Sequence, residues 1–135
     1  MSTGQCCCGA IRYELNGPLR AIANCHCRIC RRTFGSAFFA GASISSEDLT
    51  VTHGQANFRS YETSDDATYF CERCRSPLFI RIDVDPATVV LAVASLDEEP
   101  TEGAVMHLNV ESKAPWYEIL DDLPQYDVLS PLPES

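Results

Sequence analysis

The sequence predicts a mainly β fold in a single domain. Three observations predict it. Apolar residues recur at alternate positions in short runs, the period of a half-buried strand. Glycine and proline break these runs at close intervals, so few leave room for a helix of ordinary length. The chain has 135 residues, with 45% hydrophobic and 21% charged, enough to bury one ordinary core.

Taken in order, the elements follow from these patterns. Met1 to Gln5 is a short polar start. Residues 9–15 then place Ile11, Tyr13 and Leu15 on one face and Arg12 and Glu14 on the other. Gly17-Pro18 marks a turn. One short helix is expected over 28–33, closed by Gly35. Strands are expected over 36–43, 49–53, 57–62 and 67–70, with a turn at His53-Gly54. Residues 77–83 put Leu78, Ile80 and Ile82 on one face, and Asp85-Pro86 turns the chain again. The run 89–94 is apolar on both faces, which predicts a central, covered strand. The last strand is expected over 105–110. Beyond it Pro115, Pro124, Pro131 and Pro133 predict an irregular tail over 111–135. Trp116, Tyr117 and Ile119 are expected to pin its first half, and the last few residues to fray.

The formal charge is −9, from 19 acidic and 10 basic residues. A nucleic-acid partner normally requires a basic footprint, so this class is disfavoured. No apolar run approaches the length of a membrane span, about 18 residues. Nor does a basic start lead into an apolar stretch, so no secretory signal is read and the cytoplasm is the expected compartment.

Eight cysteines are several times the usual share. With no sign of export, metal is the better reading than disulfides. They fall into three groups: Cys6, Cys7 and Cys8; Cys25, Cys27 and Cys30; Cys71 and Cys74. Cys71-Glu72-Arg73-Cys74 is a knuckle that aims two sulfurs at one tetrahedral ion. Cys6 and Cys8 supply the other pair, since alternate residues of an extended segment point the same way, and Cys7 is then spare. Cys25, Cys27 and Cys30 can converge where a strand end turns into a helix. They leave a fourth tetrahedral position without an evident protein ligand, and open sites are the catalytic ones.

Three thiolates also make a centre near −1, a poorer activator of water than one held by three imidazoles. It suits a substrate thiolate better, so sulfur chemistry is favoured over hydrolysis. His26 lies between two of the ligands and in an extended segment points away from them, as a core group or one that orients the site. His53 is expected in an exposed turn, His107 as a satisfied strand histidine, and Asp97 as a turn residue. Arg28, Arg31 and Arg32 are either a solvated helix face or a site for an anionic small molecule.

The chain resembles the glutathione-dependent formaldehyde-activating enzyme family, also called centromere protein V-like. The resemblance rests on Cys6-Cys7-Cys8-Gly9-Ala10-Ile11-Arg12-Tyr13, Cys25-His26-Cys27-Arg28-Ile29-Cys30-Arg31-Arg32 and Phe70-Cys71-Glu72-Arg73-Cys74. Ala94-Ser95-Leu96-Asp97 and Ser112-Lys113-Ala114-Pro115-Trp116 complete it, in the family's order along nearly the whole chain. It implies hairpins and small sheets around a structural zinc on Cys6, Cys8, Cys71 and Cys74, and a catalytic zinc on Cys25, Cys27 and Cys30. It further implies a carbon–sulfur lyase-type activity joining glutathione, or a similar thiol, to formaldehyde or another aldehyde. The alternative is a zinc-stabilised scaffold that binds a protein partner without chemistry. Two positions depart from the pattern. Arg75 stands where glycine usually follows the knuckle, which predicts either strain there or a different turn. Asn109 stands where many relatives carry an aromatic residue.

Overall fold

The computed structural model describes residues 1–128 of the chain, and the expected frayed end lies outside them. The strands are β1 Ser2–Gln5, β2 Arg12–Leu15 and β3 Ile22–Cys25, then, after the one α-helix among the described residues, α1 Arg28–Phe34, β4 Phe39–Ser45 and β5 Leu49–His53. They continue as β6 Phe58–Glu62, β7 Asp66–Cys71, β8 Pro77–Ile82, β9 Thr88–Ala92 and β10 Met106–Leu108. The fold is mainly β, as the alternating runs predict.

The chain packs as two compact units. The first comprises Met1–Arg20 and Ala42–Thr101. In it β1, β2 and β5 form one small antiparallel sheet, with Tyr13 opposite Gly4 on one side and Val51 on the other. Strands β9, β8, β7 and β6 follow one another in a second, antiparallel array. The core lies on Ile11, Tyr13, Leu15, Ile44, Leu78, Phe79, Leu91 and Leu96, together with Cys6 and Cys71. Each large apolar side chain so buried contributes roughly 1.5–3 kcal/mol. Tyr13 spans this core and ends in a 2.6 Å hydrogen bond with Ser95 Oγ. Gly4 is required beside it, because a Cβ there would meet the Tyr13 ring at 2.2 Å.

The second unit comprises Ala21–Gly41 and the chain from Glu102 on. Strand β10 pairs with β3 in parallel, with Leu108 opposite Cys25. Helix α1 follows Cys27, whose sulfur accepts the Cys30 N–H, and ends at Gly35 in the left-handed conformation. Phe34 and Phe39 stack at 4.0 Å as the chain turns back.

Several expectations shift in detail. Strands β1 and β3 lie where no strand was expected, and β4 begins three residues later than the run 36–43. Val93–Ser95 forms a short 3-10 turn that ends β9 early and lets Ser95 reach Tyr13. Trp116 is exposed instead of anchoring the tail; Ala114, fully buried, and Tyr117, beside Phe38, do that.

Candidate metal centre

In the first unit the Sγ atoms of Cys6, Cys8, Cys71 and Cys74 all lie within 4.8 Å of one another. Cys6 and Cys8 are 3.7 Å apart and Cys8 and Cys71 3.9 Å. Four sulfurs each about 2.3 Å from one ion stand about 3.8 Å apart at the corners of a tetrahedron. These separations far exceed the roughly 2.05 Å of a disulfide, and all eight thiols are free. The donor set therefore fits a tetrahedral metal ion.

The knuckle works through backbone donors. Cys71 Sγ accepts the Arg73 N–H at 3.4 Å, Cys6 Sγ accepts the Ile11 N–H at 3.3 Å, and Arg75 N–H closes on Cys71 C=O at 2.8 Å. Cys6 and Cys8 do not lie on an extended strand. Strand β1 ends at Gln5, and the Gly9 N–H turns back onto Cys6 C=O, with Gly9 at φ 78°. The two sulfurs converge through a turn, and Cys7 is left exposed. Burial opposes charge on Cys74, yet the Ser76 and Cys8 N–H groups hold its thiol down to about 6. At Cys8 the Ala10 N–H favours the thiolate, but burial and shared protons push it up to about 11.

In the second unit the Sγ atoms of Cys25, Cys27 and Cys30 are likewise mutually within 4.8 Å. Cys25 ends β3, Cys27 caps α1 and Cys30 sits in its first turn, so a strand end and a helix start bring the three together. Hydrogen bonds from Cys25 and Cys30 hold the Cys27 thiol down to about 2. The same sharing pushes Cys25 and Cys30 up. Three thiols of this spacing fit a soft cation with one open position.

His26 is not part of the thiol cluster. It is fully buried, and its Nε2 lies 2.9 Å from Nδ1 of buried His107, whose Nε2 in turn lies 3.0 Å from the Asp121 carboxylate. The carboxylate accepts from His107 Nε2, so His107 Nδ1 accepts from His26 Nε2, and among the described residues His26 Nδ1 has no partner. Burial, then the neighbouring His107, lowers the His26 pKa. Asp121 was missed in the sequence because a tail aspartate carries no local signal of its partner. His53 is exposed, and Asp97 accepts a 2.7 Å bond from Thr3 Oγ1.

The three arginines divide. Arg31 donates to Ser112 C=O at 2.7 Å and to His26 C=O at 3.4 Å, tying α1 to the tail. The Arg28 and Arg32 guanidiniums make no ion pair or hydrogen bond among the described residues. All three line a cavity of about 250 Å³ with Gly35, Ser36 and Trp116.

Among known proteins, the family model described as glutathione-dependent formaldehyde-activating enzyme matches residues 1–112. A Halomonas elongata protein, provisionally named as a glutathione-dependent formaldehyde-activating enzyme, is 32% identical over 124 residues, 86% of this chain and 79% of that protein. A structural-genomics crystal structure of a Rhodobacter sphaeroides protein superposes with a TM-score of 0.62 at 26% identity, over 73% of this chain and 91% of its own.

Proposed function

The chain belongs to the glutathione-dependent formaldehyde-activating enzyme family, and on that premise we propose that it is a zinc-dependent, carbon–sulfur lyase-type enzyme that adds glutathione or a similar small thiol to formaldehyde or another aldehyde. The observation that carries this reading is the inequality of the two thiol clusters. Four sulfurs complete a tetrahedron, whereas three leave one corner for a substrate.

On this reading Cys6, Cys8, Cys71 and Cys74 hold a structural zinc, Cys25, Cys27 and Cys30 a catalytic one, and residues 1–135 act as one domain. Bound at the three-cysteine cluster, zinc supplies a soft cation that favours the thiolate form of a substrate thiol. The chain's residues do the rest. By offering three anionic sulfurs, Cys25, Cys27 and Cys30 make the site a weak activator of water and steer it toward sulfur chemistry. Arg28 and Arg32, which line the cavity with Trp116, receive the carboxylates of the thiol substrate. Arg31 adds charge there while its N–H groups hold the tail. The addition forms one carbon–sulfur bond; the carbonyl π pair moves to oxygen, which gains the proton the thiol gives up. No oxidant or reductant is consumed. A reducing compartment such as the cytoplasm suits seven liganding thiolates, and the net charge of −9 argues against a nucleic-acid partner.

Exchange NMR on the zinc-loaded protein with glutathione and formaldehyde tests this directly. Accelerated exchange between free thiol and the S-hydroxymethyl adduct is expected. The uncatalysed rate, with both sites loaded, would overturn the assignment and leave the scaffold reading.

A further inference from the structure

The ladder between β3 and β10 runs straight into the three-cysteine cluster. Leu108 stands opposite Cys25, and the His26 N–H closes the ladder on Leu108 C=O at 2.9 Å. One residue later the backbone of Asn109 is left-handed, at φ 56° and ψ 40°. Its N–H donates to Val128 C=O at 3.3 Å and its own C=O accepts the Ser112 N–H at 3.0 Å. Held on both sides, Asn109 turns its carboxamide back on the cluster, and Nδ2 lies 3.2 Å from Cys25 Sγ. An amide nitrogen donates to a thiolate, whereas the amide oxygen would repel it, so this orientation suits the negative sulfur that Cys25 would present with a metal ion bound. Cys27 Sγ receives a backbone N–H from Cys30. Within the three-cysteine cluster Cys25 alone receives a side-chain donor that is not another thiol.

We propose that Asn109 is a positioning residue of the three-thiolate centre, which tunes the Cys25 sulfur through its N–H···S hydrogen bond. The inference rests on the reading that Cys25, Cys27 and Cys30 hold a metal ion. A thiolate that accepts a hydrogen bond gives less charge to its cation, just as hydrogen bonds to liganding sulfurs shift the potentials of copper and iron–sulfur sites. Three full-strength thiolates would over-neutralise a dication. Drawing density from Cys25 leaves the centre more positive toward an incoming thiol, so Asn109 favours substrate sulfur at the open corner. The left-handed backbone limits the position to residues that accept positive φ, asparagine and glycine foremost.

The test compares full-length, cobalt-loaded wild type with Asn109→Gly and Asn109→Asp. Glycine keeps the left-handed turn and removes only the donor; aspartate sets an acceptor against the sulfur. Cys30→Ser, which lacks the third thiolate, identifies the bands of this centre, while the four-cysteine site is the internal reference for folding. Both Asn109 variants should move the sulfur-to-cobalt charge-transfer bands to lower energy, the aspartate further. Both should also weaken binding of added glutathione, read from the same spectrum, by roughly tenfold or more. Unchanged bands and unchanged thiol binding in a folded Asn109→Gly overturn the role of Asn109 and leave the metal reading standing. Cobalt bands that do not change in Cys30→Ser overturn the metal reading, and this inference with it.

Discussion

Arg75 holds a left-handed backbone, φ 68°, where its N–H must close the knuckle on Cys71. A side chain in that region costs about 1–2 kcal/mol, and glycine would remove the strain while losing more entropy on folding. Arg75→Gly is therefore expected to stabilise the protein by about 0.5–1 kcal/mol, read as a higher midpoint in urea. The histidine pair behaves in the opposite way. His107→Ala leaves a cavity and deprives buried His26 Nε2 of its partner, and it should cost about 2–4 kcal/mol. Asp121 contributes through charge. Its hydrogen bond with His107 lowers its pKa, so its stabilising contribution is present above the unfolded value and is lost as pH falls through the folded one. Below about pH 4, Asp121→Asn should flatten the pH dependence of the unfolding midpoint.

At the scale of elements, turns decide as much as strands. Gly54 joins β5 to the next turn at φ 80°, and a Cβ there would meet Ala10 C=O at 2.1 Å. Gly54→Ala combines left-handed strain with a backbone clash, and a loss of about 2–3 kcal/mol in thermal or urea unfolding is expected. Strands with apolar alternation, β2, β5 and β8, were legible because alternation reports burial of one face. Strands β1 and β3 were not. Ser2–Gln5 has no apolar face, and it holds its place through its ladder to β2 and the Thr3–Asp97 bond. Ile22–Cys25 alternates too briefly to read and depends on a parallel partner more than 80 positions away.

At the scale of the whole chain, the two clusters should fail differently. Cys8→Ser or Cys71→Ser removes a sulfur from a set that brings together distant stretches of the first unit, so on the proposed zinc reading chelation or mutation there should abolish cooperative unfolding. Cys30→Ser should leave the chain folded by circular dichroism, with about one zinc bound in place of two, and without adduct exchange. Zinc affinity at the second cluster should fall as pH drops, because binding must displace the protons shared by Cys25 and Cys30. Competition with a chelator between about pH 6 and 8 should give a slope approaching about two protons per ion.

The sequence by itself determined the β class, the division of seven cysteines into four and three, and the place of the helix. Spacing and periodicity are local properties, and the chain carries them in order. Only the tertiary structure decided which groups stand around those residues: Asn109 on Cys25, Asp121 and His107 behind His26, and Arg31 spent on the tail while Arg28 and Arg32 have no partner among the described residues. These contacts join residues 14 to 84 positions apart through turns and a parallel ladder. Hydrogen bonds of that kind depend on where the backbone returns, and no pattern in the chain records it.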